Sequence, residues 1–211
     1  MTNRNHSRIP MVDSGGLSPA QQEVYDKIVA GKRGRLAGPL HVALHVPELA
    51  ERWSAFGEYV RFEGELPQRV RELAIISVAR FWNSQVEWAI HSRIAASEGL
   101  EPEIIEAIRC GDVPEFDDEL QALVYEFMRQ LLEFGQVSDG AYRALHERIG
   151  TAALVELTGV AGYYSLVAMT LNVHKVPAPD EADAALLDHP DGTTTRHPTR
   201  LPPCRIRRRN S

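Results

Sequence analysis

"RELAIISVARFWNSQVEWAIHSRIAASEGL", Arg71 to Leu100, decides the fold. Its first half is apolar on nearly every side, with Val78, Ile75, Ile76, Leu73 and Ala74 crowded together, as in a helix buried all round. Its second half carries Ser84, Glu87 and His91 at i, i+3 and i+7. At about 100° per residue these three lie within roughly 60° on one helical face, a stripe ordinarily given to Leu and Ile. Such a stripe faces either water or a cavity where polar groups have work to do. Asn83 and Ser84 are candidate caps between the halves, and Gly99 is a stop signal.

Outward from this stretch, helical signals recur. Ser18 is a candidate N-cap with Pro19 at the first helical position, and Gly31 or Gly34 closes that helix. Leu49, Trp53, Phe56 and Val60 follow Pro47 at helical spacing, after a short helical turn, and Pro67 opens the apolar half described above. Further helices are expected near Pro102–Ile108, Glu119–Phe134 and Ser138–Ile149, and a long last one from Thr151 towards Pro177. No segment alternates cleanly and no hairpin dipeptide joins two β-rich runs. The expectation is an all-α protein: a lead-in over 1–16, one helical domain over 17–178, and a tail over 179–211 whose Pro, Asp, Thr and Arg content predicts disorder or loose docking. The tail's "RIRRR" could touch an anionic partner, but a solvated tail is the simpler reading.

Composition narrows the function. A chain of 211 residues with 44% hydrophobic and 25% charged residues is ordinary for a globular protein. A formal charge of −6 argues against nucleic acid as a partner. Cys110 and Cys204 form no CxxC, so neither a disulfide framework nor a thiolate metal site is expected. The N-terminal residues are polar and "GVAGYYSLVAMTLNV" is short for a bilayer span, so no membrane association is expected and the cytoplasm is the default location.

Glu72 is the second polar feature. A carboxylate set among core residues has to find a partner or give up its charge. If the two halves of the central stretch pack side by side, Glu72 can hydrogen-bond one imidazole nitrogen of His91 and fix the tautomer, leaving the other nitrogen for proton transfer. The bland alternatives are an exposed Glu87–His91 pair and a surface pairing of Glu72 with Arg71 or Arg80.

The block "RELAIISVARFWNSQVEWAIHSRIAASEGLEPEIIEAIR", with the lead-in "GPLHVALHVPELAERWSAFGEYVRFEGELPQRVRELA", resembles the carboxymuconolactone decarboxylase family, whose fold is shared with the alkylhydroperoxidase AhpD. The likeness extends from about Arg8 to Pro179, specific in the centre and looser at the ends. In the peroxidase branch the motif is Glu, eleven residues, CxxC, three residues, His. Here the register is kept, with Glu72 and His91 at the acid and histidine positions and Ser84 and Glu87 where the cysteines stand. Thiolate chemistry therefore does not carry over, because peroxide reduction needs an attacking and a resolving thiol.

The resemblance instead implies the decarboxylase branch, which acts without metal or organic cofactor on carboxylated lactones. It implies His91, Glu72 and Glu87 as catalytic residues, and a small carboxylated ring compound as substrate. Substrate-binding candidates are Arg80 as a carboxylate clamp, Ser84, Trp88 beside the stripe, His41 from the lead-in and Tyr163. Tyr164 and His174 are further donors on the last helix. His41 and His45 have helical spacing for a metal but no acidic or sulfur partner, so none is expected. The family further implies a homotrimer or homohexamer, with Trp53 and Phe56 as interface aromatics. Two other classes stay open: a non-catalytic ligand-binding or assembly member, and a hydrolase or cyclase using the same base.

Overall fold

Burial on every side of one helix organises the molecule. In the computed structural model, which describes residues 7–12, 15–178 and 200–207, every residue from Val70 to Phe81 is buried. They belong to a helix over Gln68–Phe81, fourth in chain order and called α4. Before it come α1 (Pro19–Ala30), the one-turn α2 (Leu40–Ala43) and α3 (Pro47–Phe62). After it come α5 (Gln85–Ser97), α6 (Pro102–Cys110), α7 (Glu119–Phe134) and α8 (Asp139–Val173). Helices α5, α7 and α8 pack around α4, with α6 also against it, so its apolar residues need no solvent face. Each fully buried Leu or Ile there contributes about 1.5–3 kcal/mol. The all-α expectation holds: the described strands are the two-residue pieces β1 (Glu115–Phe116) and β2 (Arg205–Ile206), paired in parallel.

Local chemistry sets the ends. Ser18 and Gln21 form a reciprocal capping box at the start of α1. The α4–α5 turn is three residues long, and Asn83 takes the left-handed conformation (φ 50°) that asparagine tolerates better than most residues. Arg71 is buried and donates to the carbonyls of Arg61, Gly64 and Leu66, closing the loop between α3 and α4. Its guanidinium is therefore spent on backbone, and the alternative pairing with Glu72 does not occur.

The two helices expected over 138–149 and 151–177 are the two limbs of α8, meeting at Gly150 (φ 74°, ψ 178°), a conformation essentially confined to glycine. Taken whole, α8 is long and apolar enough to cross a membrane by composition, unlike the shorter stretch considered from sequence. Half of its most apolar window is buried in the helical core, which accounts for that composition in a core helix. Residues 200–207, expected in a loose tail, lie against α7 instead. Leu201 is buried, Tyr125 Oη donates to the Pro202 carbonyl (3.0 Å), and the Leu201 amide donates to Glu133 (2.8 Å). The rest of that tail, 179–199 and 208–211, falls outside the described residues.

Candidate functional site

The short α4–α5 turn returns the chain so that Glu72 and His91 meet inside the protein. Glu72 is fully buried and His91 is 5% exposed. Glu72 Oε2 lies 2.7 Å from His91 Nδ1. An ionised carboxylate only accepts, so Nδ1 carries the proton and donates, leaving Nε2 as the working nitrogen. The second carboxylate oxygen is also occupied: Gln68 Nε2, one turn earlier, donates to Oε1 at 2.9 Å. Gln68 is itself held by Arg71 (2.9 Å). Glu72 is thus an orienting acid with both oxygens fixed, and the edge of Tyr164 meets the imidazole at 5.0 Å between centroids.

One turn before His91, Glu87 is 2% exposed and neither of its oxygens has a hydrogen-bond partner. Burial pushes its carboxyl well above the ordinary carboxylate range; the nearby Ser84 hydroxyl opposes this slightly without forming a bond of good geometry. Burial thus favours its protonated form, which has a hydrogen to give. Glu87, His91, Tyr163 and Tyr164 line one cavity of about 270 Å³ between α5 and α8. Val86, Ile90, Val167 and Leu171 give it apolar walls.

Tyr163 seats its hydroxyl over the backbone of Gly57 on α3, so close that a Cβ there would stand 2.0 Å from Oη. Burial raises its phenol above the usual range, while the side chains of Arg33 and Trp53 approach its oxygen and hold part of that rise back. The opposite wall was missed in the sequence. It is the α1–α2 connection, Lys32 to Pro39, with Arg61 from the end of α3. Lys32 is neutralised by Glu63 (2.8 Å), whereas Arg33, Arg35 and Arg61 have no ion pair among the described residues. "KRGR" (32–35) reads as the basic end of a helix, and its only hint was an excess of positive charge in an acidic chain.

Other candidates fall elsewhere. Arg80, expected to clamp a carboxylate, donates to Asn83 Oδ1 (3.0 Å) and reaches towards the Gly111 turn, outside the cavity wall. His41 Nδ1 and His45 Nε2 sit 2.6 and 2.8 Å from the carbonyls of Val12 and Pro10, so these histidines pin the N-terminal segment to the domain. Trp88 is buried in the core and does not line the cavity. Ser84 is the N-cap of α5, as expected, but its side chain makes no cap bond and touches the site only through Glu87. His174 serves with its carbonyl, accepting from Arg8 and Ser7. Trp53, expected at an interface, is a core residue, whereas Phe56 is 47% exposed.

A helical shell around a central helix, with an acid–imidazole pair behind a hollow, is an AhpD-like fold. Residues 47–124 match the model of the Carboxymuconolactone decarboxylase family, a span that includes Glu72, Glu87 and His91. Two solved structures share the fold. One, an uncharacterized peroxidase-related protein from Silicibacter sp. TM1040, is 14% identical with a TM-score of 0.65, covering 86% of this chain and 96% of its own. The other, an alkylhydroperoxidase AhpD core protein from Ralstonia eutropha JMP134, also described as uncharacterized and peroxidase-related, is 16% identical. Its TM-score is 0.65, and the match covers 83% of this chain and 93% of that one. No curated protein matches the sequence.

Proposed function

We propose that this protein is a cofactor-independent lyase of the carboxymuconolactone decarboxylase type, moving protons on a small carboxylated lactone or ring compound. One observation carries the reading: the buried Glu72–His91 hydrogen bond stands behind a cavity that His91 shares with the buried Glu87. In the proposed reaction the bond to the substrate carboxylate breaks and carbon dioxide leaves. The electron pair passes into the lactone carbonyl as an extended enolate. Glu87, in the protonated form that burial favours, donates a hydrogen bond to the developing oxyanion without repelling it. His91, protonated on Nε2 and braced by Glu72, delivers that proton to the enolate carbon and is reprotonated from solvent. Neither cysteine lines the cavity, which agrees with the absence of thiols at 84 and 87, so thiol peroxidase activity is not part of the proposal.

The test is direct measurement of carbon dioxide from a panel of carboxylated lactones and β-keto acids. Wild type should release it, and His91→Ala should be slower by about 10²–10⁴-fold. Undiminished turnover in His91→Ala removes the acid–base role. Turnover without carbon dioxide moves the assignment to a hydrolase or cyclase. No turnover, with ligands still raising thermal stability, leaves a binding protein.

We also propose a homo-oligomer, a trimer or hexamer, working on aromatic-compound breakdown in the cytoplasm. Support for association lies on α8, where Val155, Gly159, Gly162, Leu166, Met169 and Val173 recur at alternating four- and three-residue spacing. Val155, Leu166, Met169 and Val173 are all more than 40% exposed, and Phe56 from α3 reaches the same face near Gly159. Two glycines in such a stripe let a second helix approach closely.

A further inference from the structure

The cavity's basic wall contains a guanidinium whose bonding is incomplete in a specific way. Arg33 lines the cavity from the α1–α2 connection. Its Nε and Nη2 are shut off from solvent and have no hydrogen-bond partner. These two nitrogens form one edge of the guanidinium plane, the edge that presents two parallel N–H groups to the two oxygens of a carboxylate. Buried Arg71 makes the comparison plain, since it spends its donors on three carbonyls and Gln68. Arg33 instead keeps a paired edge unspent, and a desolvated donor without a partner is costly.

The charge around it is equally one-sided. Arg35 and Arg61 line the same cavity, and neither has an ion pair among the described residues. The carboxyl facing them from α5 is Glu87, whose charged form burial disfavours. Glu72 lies behind His91 and is already committed to it and to Gln68. Among the described residues these arginines have no ion-pair partner, and a ligand carboxylate supplies one. The remaining walls, Val86, Ile90, Val167 and Leu171, suit a flat hydrocarbon body rather than a second polar group.

We propose that Arg33 is the residue that selects the ligand, gripping one carboxylate of a small unsaturated acid through its Nε–Nη2 edge. The rest of the molecule then extends along the apolar walls towards Glu87 and His91. Tyr163, whose oxygen the same guanidinium approaches, bridges the grip to the reacting end. This assignment takes its reaction setting from the lyase reading above, but binding tests it independently. It also moves the anion-binding role from Arg80, which is turned away, to a segment with no helical periodicity.

The experiment is calorimetric titration with benzoate and with benzamide, its neutral counterpart of nearly equal shape, neither of which the lyase reaction consumes. Wild type should bind benzoate more tightly than benzamide. Arg33→Gln should weaken benzoate by about tenfold or more and abolish the preference, leaving benzamide little changed, because only the carboxylate exchanges two charge-assisted bonds. Arg33→Lys, which keeps the charge but not the paired edge, should fall between. A preference that survives in Arg33→Gln overturns the assignment, as does a wild type that binds both compounds equally, binds neither, or favours inorganic phosphate. If Arg33→Gln fails to fold, Arg33→Lys decides: benzoate affinity equal to wild type rejects the paired-edge grip. Benzoate binding through Arg33 without carbon dioxide from any lactone would retire the lyase reading alone.

Discussion

Gly57→Ala probes how the site is built, whatever reaction it performs. Gly57 lies buried in the middle of α3, where glycine normally costs about 0.5–1 kcal/mol relative to alanine. The structure shows what that cost secures. An added Cβ would lie 2.0 Å from Tyr163 Oη, 2.4 Å from Cζ and 2.8 Å from Cε2, far inside the 3.4 Å where ordinary contact begins. Tyr163 can yield only towards the cavity it lines, being 4% exposed and packed edge-on against Phe56 (5.5 Å) and Tyr164 (5.2 Å). Overpacking of this kind costs about 1–3 kcal/mol, and the gain in helix propensity returns at most about 1 kcal/mol. The net expectation is a loss of about 1 kcal/mol, read as a lower urea midpoint with an unchanged slope.

A double-mutant cycle isolates the cause. Tyr163→Leu removes the ring that the new methyl strikes, so the double variant should be more stable than the two single effects predict, by about 1–3 kcal/mol. Independent sites add to within about 0.3–0.5 kcal/mol. Additivity within that range would refute the claim that Gly57 is a seat for Tyr163. So would a Gly57→Ala protein that is simply more stable and binds benzoate as wild type does, because a displaced Tyr163 has to intrude on the cavity.

Two further expectations concern the buried acid and the exposed stripe. Glu87 is held above its unfolded value of 4.5, so the folded state keeps a proton that the unfolded state has released; stability from this residue is present below about pH 4.5 and is lost as pH rises towards the folded value. Glu87→Gln cannot titrate, so its urea midpoint should fall less than wild type's between about pH 5 and 9, and parallel curves would show that burial does not hold the proton. Sedimentation at micromolar concentration should show wild type larger than one 23.6 kDa chain and Leu166→Glu/Met169→Lys shifted towards it; a wild-type monomer would end the oligomer proposal.

Periodicity was enough to find the central pair. Glu72 and His91 sit on consecutive helices joined by a three-residue turn, so the helical wheel and the simplest packing already bring them together. The same wheel, read one step too far, misplaced other residues. Counted from Ser84, the cavity-lining residues of α5 run from about 200° at Val86 through Ile90 and Glu87 to about 340° at His91. The hollow therefore opens to one side of the polar stripe, and Trp88, at about 40°, packs on the other. Arg80 stands two turns beyond Glu72 and about 80° round α4, which carries it towards α6 rather than α5. Arg33 carried no signal of this kind. It lies between α1 and α2, where no period fixes a direction, and only the fold sets that segment opposite α5.

This difference suggests how to separate structural from functional polarity in such a core. Arg71 and Ser77 are buried and Gln68 is half-buried, yet each finds an acceptor or donor nearby, because an unpaired buried group would cost about 1–3 kcal/mol. Glu87 and Arg33 instead keep unpartnered atoms, shut off from solvent, on opposite walls of one cavity. Their chemistry is complementary to a single molecule: a carboxylate for the guanidinium edge, and a carbonyl oxygen for the neutral acid. A fold optimised for stability alone would replace both with hydrocarbon at little loss. Their retention, each incomplete and each facing the hollow beside His91, is explained economically by a ligand that completes them together.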